Sequence, residues 1–449
     1  MRLLLALILS ICVPGVLAQE TDPVVQRLEQ VAALIRANRI VEAERQLVSI
    51  SRTMPNSPAV PNLMGTIRAK QNRLNEAESL FLQALRHDEK FTGARMNLAY
   101  LYLLRRAPDK ASFQLKEILR FEPNNVEASQ KLLDLLFSER KYDEYISLVE
   151  KQRAAGPVSP QSLVRLGDAY LAKGAIADAE SIYLVALEGK LDNAHALFGL
   201  AQIAHAKGEL RETSILLSRV ATLNADAGEP EFLYKFALLA LRVGMIDQAK
   251  AALERSLKLR PDEPSYLLAL GVAWLSRGDL FEAEKLFRRL IEIQPDNSLG
   301  HLHLGYVFLN QKKYREARLW LEKSARSPNA IPEVFYYLGL VAQEQNDDAG
   351  AIPLFEKAVR KLPNYAHARI ALGSSYMKLR NYARAREELE TAVKLDPNEP
   401  KAHYNLALLY ARLNDPVRAQ EQMKIVDSLK AKGGSADGVV VLPAPPRPD

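Results

Sequence analysis

The chain has 449 residues, 25% of them charged, a formal net charge of +6 and a single cysteine, Cys12. One thiol excludes a disulfide framework and any thiolate metal site. The small positive balance contains no block of five basic residues, which argues against nucleic-acid binding and leaves a slight preference for an acidic partner or anionic surface.

Residues 1–18, MRLLLALILSICVPGVLA, carry one early charge at Arg2, an apolar run from Leu3 to Val13, a Pro14-Gly15 breaker and small residues at Val16 and Ala18. That pattern predicts a signal peptide cleaved before Gln19 and an exported chain, periplasmic or secreted. The apolar run is shorter than the roughly 20 residues of a spanning helix, so an uncleaved anchor is the weaker reading. Lipid attachment at Cys12 is weaker too, because Ile11 stands where such a motif wants a small residue. No later segment is apolar for long enough to cross a membrane.

From residue 24 onward the chain repeats itself every 34 residues. Repeats begin at 24, 58, 92, 126, 160 and 194 and, after a two-residue extension at Ala227-Gly228, at 230, 264, 298, 332, 366 and 400. Each predicts two helices joined by a turn and closed by a helix breaker, with prolines in phase at Pro55, Pro123, Pro157, Pro261, Pro295, Pro363 and Pro397. The second helices place alanine at one position in ten of the twelve repeats, Ala351, Ala385 and Ala419 among them. The first helices keep a small residue at another, such as Gly65, Ala99, Gly167, Gly339 and Gly373, as close helix crossing requires. One such hairpin cannot bury its own apolar face, so the repeats must stack.

The L-G-x-x-Y … A-x-x-x-F-x-x-A … P pattern, complete in 332–363 apart from the tyrosine and in 366–397 apart from the phenylalanine, resembles the tetratricopeptide repeat family. The resemblance implies an all-α, right-handed superhelical solenoid of twelve helical hairpins. Two segments are expected, 19–228 and 229–431, of about six repeats each, followed by a Gly- and Pro-rich tail at 432–449. Three repeats depart from the pattern, the one at 194 by placing Thr213 where most have alanine, a second candidate irregularity beside the one at 126. At 126 the small positions hold Leu133 and Tyr145, which predicts wider helix spacing and a local bend. At 24, Gln30 and Val31 stand where others have Leu-Gly, as in a solvent-facing cap.

No G-x-S-x-G, H-E-x-x-H, phosphate-binding or dinucleotide-binding motif occurs, so neither catalysis nor a cofactor is expected of this chain. His301 and His303, two apart on one helix, point to different faces and predict no metal site, and the histidines read as surface or groove residues. Glu387 and Glu388 read as a solvated outer face. In the family the first helices line a concave groove, and the resemblance places there the aromatic residues Tyr100, Phe198, Tyr234, Tyr306, Tyr336, Tyr337 and Tyr404. His195, His303, His367, Arg242 and Arg412 share the same face. Aromatics offer contact area at low entropy cost, and cations suit acidic groups, so these twelve are the candidate partner-binding set. Tyr306, Tyr336, Tyr337 and Tyr404 form its expected centre. Asn97 and Asn405 resemble the asparagine of the family's carboxylate clamp, but the companion residues are missing. The expectation is an exported scaffold that holds a peptide or partner domain in envelope assembly or secretion. The alternatives are an accessory subunit of a glycan- or protein-modifying complex, or a solenoid that binds glycan directly.

Overall fold

The structure, a computed structural model, describes residues 23–188, 193–223 and 229–431. The signal segment, the extension at Ala227-Gly228 and the tail lie outside the described residues. Among those described there are twenty-four helices and no strand, from α1 (Pro23–Arg36) to α24 (Pro416–Ala431). Odd-numbered helices are the first of each hairpin and even-numbered the second, so the 34-residue register is seen directly in the helix boundaries. The chain divides into two compact units, Met1–Gly199 and Leu200–Asp449, the division falling inside α11 (Ala194–Ala206).

The small residue of each first helix has a more specific cause than close crossing. In unit one, a Cβ added to Gly65 on α3 (Ala59–Lys70) would sit 2.6 Å from Phe81 Cε1 of α4 (Leu74–His87). In unit two, a Cβ at Gly339 on α19 (Pro332–Glu344) would lie 2.4 Å from Phe355 Cε1 of α20 (Asp348–Lys361). Gly271 and Phe287, Gly305 and Leu321, and Gly373 and Leu389 make the same pair. Each glycine is thus a hole for one bulky knob of its own second helix. Tyr183 is held twice, over Gly167 and over Gly199, and its hydroxyl donates to Asp168 Oδ1 at 2.6 Å.

The irregular repeat obeys the same volume rule in reverse. Leu133 fills the hole on α7 (Val126–Ser138), and the knob facing it on α8 (Tyr142–Ala155) shrinks to Val149, which is fully buried. With Tyr145 in the alanine position, α7 and α8 approach far less closely than the helices of the hairpins on either side, as the sequence predicts. Phe137 fills the gap, edge-on to Tyr142 and Tyr145 at 5.8 and 5.3 Å. The expectation of a solvent-facing cap at the first repeat is corrected. Val31 is fully buried in a local core with Leu28, Ile35, Leu47 and Ile50, and only Gln30 faces solvent. In unit two the core runs continuously through the repeats from Leu267 to Tyr410.

The turn inside each hairpin rests on one left-handed residue that the sequence reading passed over. Residues 38, 72, 106, 140, 174, 208, 244, 278, 312, 346, 380 and 414 all have positive φ. Four are glycine and four asparagine, but Arg106, Arg140, Lys312 and Arg380 hold φ between 54° and 58° or at 61° without that freedom. After α21 (Ala366–Lys378), Asn381 N donates to Tyr376 O at 2.8 Å and Arg380 N to Met377 O at 3.1 Å, the paired bonds of a Schellman cap. Arg380 is exposed, so Arg380→Gly removes the side chain's left-handed penalty and loses no buried contact. It is expected to stabilise the chain by up to about 1 kcal/mol, read as a raised urea midpoint. A lowered midpoint would show that the arginine relieves no strain when removed.

Candidate inner-face binding site

In unit one the first helices carry a buried polar line. Asn97 Nδ2 on α5 (Thr92–Leu104) donates to Asn62 Oδ1 of α3 at 2.9 Å and reaches Thr66 Oγ1 at 3.5 Å, with all three residues buried. Alongside, the Tyr100 hydroxyl donates to Glu127 Oε1 at 2.8 Å, and Lys131 Nζ lies 5.9 Å from the centre of the Tyr100 ring. These groups satisfy one another, so Asn97 is a bridge between repeats. His195 opens α11 as an exposed residue, whereas Phe198 is 6% exposed and part of the core.

In unit two the expected centre of the site is mostly interior. Tyr306 on α17 (Ser298–Asn310) packs 5.0 Å from Tyr337, Tyr337 lies 5.3 Å from Tyr336, and Tyr336 lies 5.3 Å from Tyr365. All four are under a tenth exposed, and Tyr337 is sealed. Tyr306, Tyr336, Tyr337, Phe198 and His303 are therefore corrected from groove-facing residues to packing residues. The reason is geometric. Tyr306 is covered by Tyr337 of the next first helix, Tyr336 lies against Phe355 of α20 and Tyr365, and His303 is stacked on Phe287 of the preceding second helix, α16 (Leu280–Ile293).

His303 is the extreme case: fully buried, stacked on Phe287 at 5.1 Å and 15°, its Nδ1 without a partner. Burial alone pushes its pKa down to about 3, so the imidazole is neutral. His301 and His403 are buried as well, which corrects the surface reading of these histidines. The two ring nitrogens of His403 lie 2.7 Å from Gln422 Oε1 and 2.9 Å from Pro397 O. Glu387 is solvated as expected, but Glu388 is drawn inward, accepting from Arg369 Nη1 at 2.6 Å.

The residues left open are Tyr404 (45% exposed), Arg412 and Arg242, with Tyr234 and His367 half-buried. Tyr234 stacks obliquely on Tyr266 at 5.0 Å. Arg412 on α23 (Pro400–Arg412) donates to Met377 O of α21 at 3.3 Å, which ties the two first helices together. Asn405 is buried beside Tyr404 on the same helix.

Sequence reasoning missed a group at the N-terminal ends of α19, α21 and α23. Tyr365 precedes α21 in a loop position outside the helical pattern, and it is 7% exposed with no partner for its hydroxyl. His367 Nε2 is also without a hydrogen bond and stands 3.7 Å from Glu399 Oε2. Burial pushes the Tyr336 hydroxyl up to about 12, with the neighbouring Tyr306 and the Glu399 carboxylate adding to it. Burial raises Tyr337 and Tyr365 too, and the Glu333 carboxylate lies close enough to oppose the ionisation of both. Among the described residues no group of three His, Cys, Asp or Glu side chains is arranged to hold a metal ion. No helix among them is long and apolar enough to cross a membrane.

Two family patterns, both described as tetratricopeptide repeat, match the chain, one over 234–298, 282–331, 302–366 and 370–423 and the other over 68–136. The chain is 27% identical over 233 residues to cellulose synthase operon protein C of Xanthomonas axonopodis pv. citri (strain 306), covering 51% of this chain and 14% of that protein. It is 25% identical over 236 residues to the protein of the same name from Pseudomonas fluorescens (strain SBW25), covering 48% of this chain and 18% of that one. The match thus spans less than a fifth of either relative. A solved structure of Pseudomonas aeruginosa pilF is 21% identical, with a TM-score of 0.41, covering 45% of this chain and 97% of that one. Repeat period, hairpin geometry and family match agree, and the chain belongs to the tetratricopeptide repeat family.

Proposed function

We propose that this chain is a non-catalytic, exported scaffold that holds a peptide segment or partner domain against the open inner face of its first helices, in assembly or secretion at the cell envelope. The observation that carries the reading is the contrast within one face. In unit two Tyr404, Arg242 and Arg412 stay exposed while Tyr306, Tyr336 and Tyr337 are packed away. An exposed aromatic ring and an arginine on one helix, Tyr404 and Arg412, suit a polypeptide that carries acidic side chains. The resemblance to two cellulose synthase operon proteins supports a second reading, an accessory subunit of glycan-making machinery, with direct glycan binding as its simplest form.

The test is photocrosslinking in the native envelope, with a photoreactive phenylalanine derivative in place of Tyr404 and, as control, of the exposed outer-face Glu387. Adducts with a discrete polypeptide from position 404 and none from 387 are expected. Equal labelling from both positions would remove the inner face from the function. A tyrosine-dependent signal with oligosaccharide and no polypeptide adduct would establish the glycan reading instead.

A further inference from the structure

The loop cluster at the N-terminal ends of α19, α21 and α23 is rich in acceptors and poor in cations. Among the described residues no lysine or arginine pairs with Glu333 or Glu399, and His367 Nε2 lies 3.7 Å from Glu399 Oε2. Glu399 also accepts from Lys401 N at 3.0 Å, which holds its carboxylate in place. Near these carboxylates lie the Tyr336 and Tyr365 rings, 5.3 Å apart, and the Tyr365 and His367 rings, 6.4 Å apart. The Tyr365 hydroxyl and His367 Nε2 are both buried and both unpartnered. An orphaned buried polar atom is costly, and two beside two carboxylates point to an absent donor.

We propose that this cluster is a subsite for a primary ammonium group, a lysine side chain or a chain N-terminus of the bound partner. The inference rests on the groove reading above and specifies its chemistry at one end. An ammonium carries three donors and no acceptor, which matches the lone pairs of Tyr365 Oη, His367 Nε2 and a carboxylate, and its charge is attracted by the ring faces. The planar fork of a guanidinium suits paired carboxylate oxygens better than these scattered acceptors. The site opens through His367, whose side chain keeps 26% of its exposure, while Glu399 keeps 11%. The preference for a cation here and for acidic groups near Arg242 and Arg412 is consistent. Glu333 stands in the first turn of α19 and Glu399 at the N-cap of α23, whereas Arg242 and Arg412 each stand in the last turn of a first helix, as the helix dipoles favour.

The test uses the full chain and a dye-labelled decapeptide with one central lysine and blocked termini, read by fluorescence anisotropy. Its companions are the same peptide acetylated on that lysine and a lysine-free peptide with a free N-terminal amine. Acetylation, Glu333→Gln and Glu399→Gln are each expected to weaken binding about tenfold, the loss of one charge-assisted contact. The glutamine at 399 keeps an oxygen for the Lys401 N–H. On the acetylated peptide the same substitutions should have no further effect, which a merely structural role for the carboxylates would not produce. Glu387→Gln, on the outer face, should leave the affinity unchanged. Stronger binding of the free-amine peptide identifies the chain terminus as the source of the ammonium. No binding of any probe to the native chain, or equal binding by native and glutamine variants, overturns the proposal. Persistence of the position-404 crosslink in a Glu333→Gln, Glu399→Gln variant would show that the groove reading survives that failure.

Discussion

Gly339→Leu is expected to cost about 3–5 kcal/mol, because the new side chain and the Phe355 ring claim one volume. A single added carbon at 339 would already meet the ring at 2.4, 2.6 and 2.8 Å, closer than any relaxed contact. Phe355 is fully buried and is bounded by Tyr336 at 6.1 Å, so it has no empty space to enter. The damage should be confined to α19, α20 and their neighbours, because a repeat array is held by nearest-neighbour interfaces. Hydrogen exchange across 332–361 should therefore accelerate while the distant repeats of unit one keep their protection. The chain itself suggests the remedy. Where the hole is filled by Leu133, the knob is Val149, so Gly339→Leu with Phe355→Val should recover roughly half of the loss, a coupling typical of residues in direct contact. Unchanged unfolding of the single variant would mean that the glycine is not a hole for that ring.

This pair also shows what the sequence exposes and what it hides. The period, the hairpins and the small position of each first helix are legible because every repeat must present the same faces to its neighbours. The partner of the small position is harder to see, since Phe, Tyr, Leu and Val all serve as knobs and only their volume is conserved against the hole. The left-handed turn residue escaped notice because arginine and lysine take that conformation at Arg106, Arg140, Lys312 and Arg380, where composition alone points to glycine or asparagine. The candidate site was the least legible part. Tyr336 and Tyr404 occupy the same position of their repeats, yet one is 8% and the other 45% exposed. Position within a repeat selects the side of the helix. Burial then depends on what packs over it: Phe355 and the loop residue Tyr365 ahead of the next first helix cover Tyr336, and no first helix follows α23 among the described residues. Tyr365 and Glu399 lie in loops, outside any helical periodicity, so no pattern pointed to them.

His303→Phe should flatten the acid limb of the stability curve. The imidazole is sealed between helices, stacked on Phe287, and burial holds its pKa at about 3 against 6.5 in an open chain. Below the open-chain value the unfolded state takes up a proton that the folded state refuses. The contribution is therefore fully present above about pH 6.5 and drains away as the pH falls toward 3. At 1.36 kcal/mol per unit this amounts to about 2 kcal/mol lost at pH 5 and on the order of 4 kcal/mol near pH 3. Phenylalanine keeps the stacked ring, carries no proton and removes the unpartnered Nδ1, so the variant should be at least as stable at pH 7.5 and pull ahead as the solution is acidified. His301, held low first by burial and then by the nearby Lys323 charge, leaves the variant a smaller residual slope over the same range. The half-buried carboxylates Glu78 and Glu284, where burial that would raise the pKa is outweighed by hydrogen bonds and neighbouring cations, act only below their ordinary range. Urea unfolding at pH 7.5 and pH 5, followed by hydrogen exchange in α17, isolates the effect. The gap between variant and native chain should widen by about 2 kcal/mol between the two conditions. A constant gap would mean that His303 meets water in the folded chain and that the Phe287 stack is not closed.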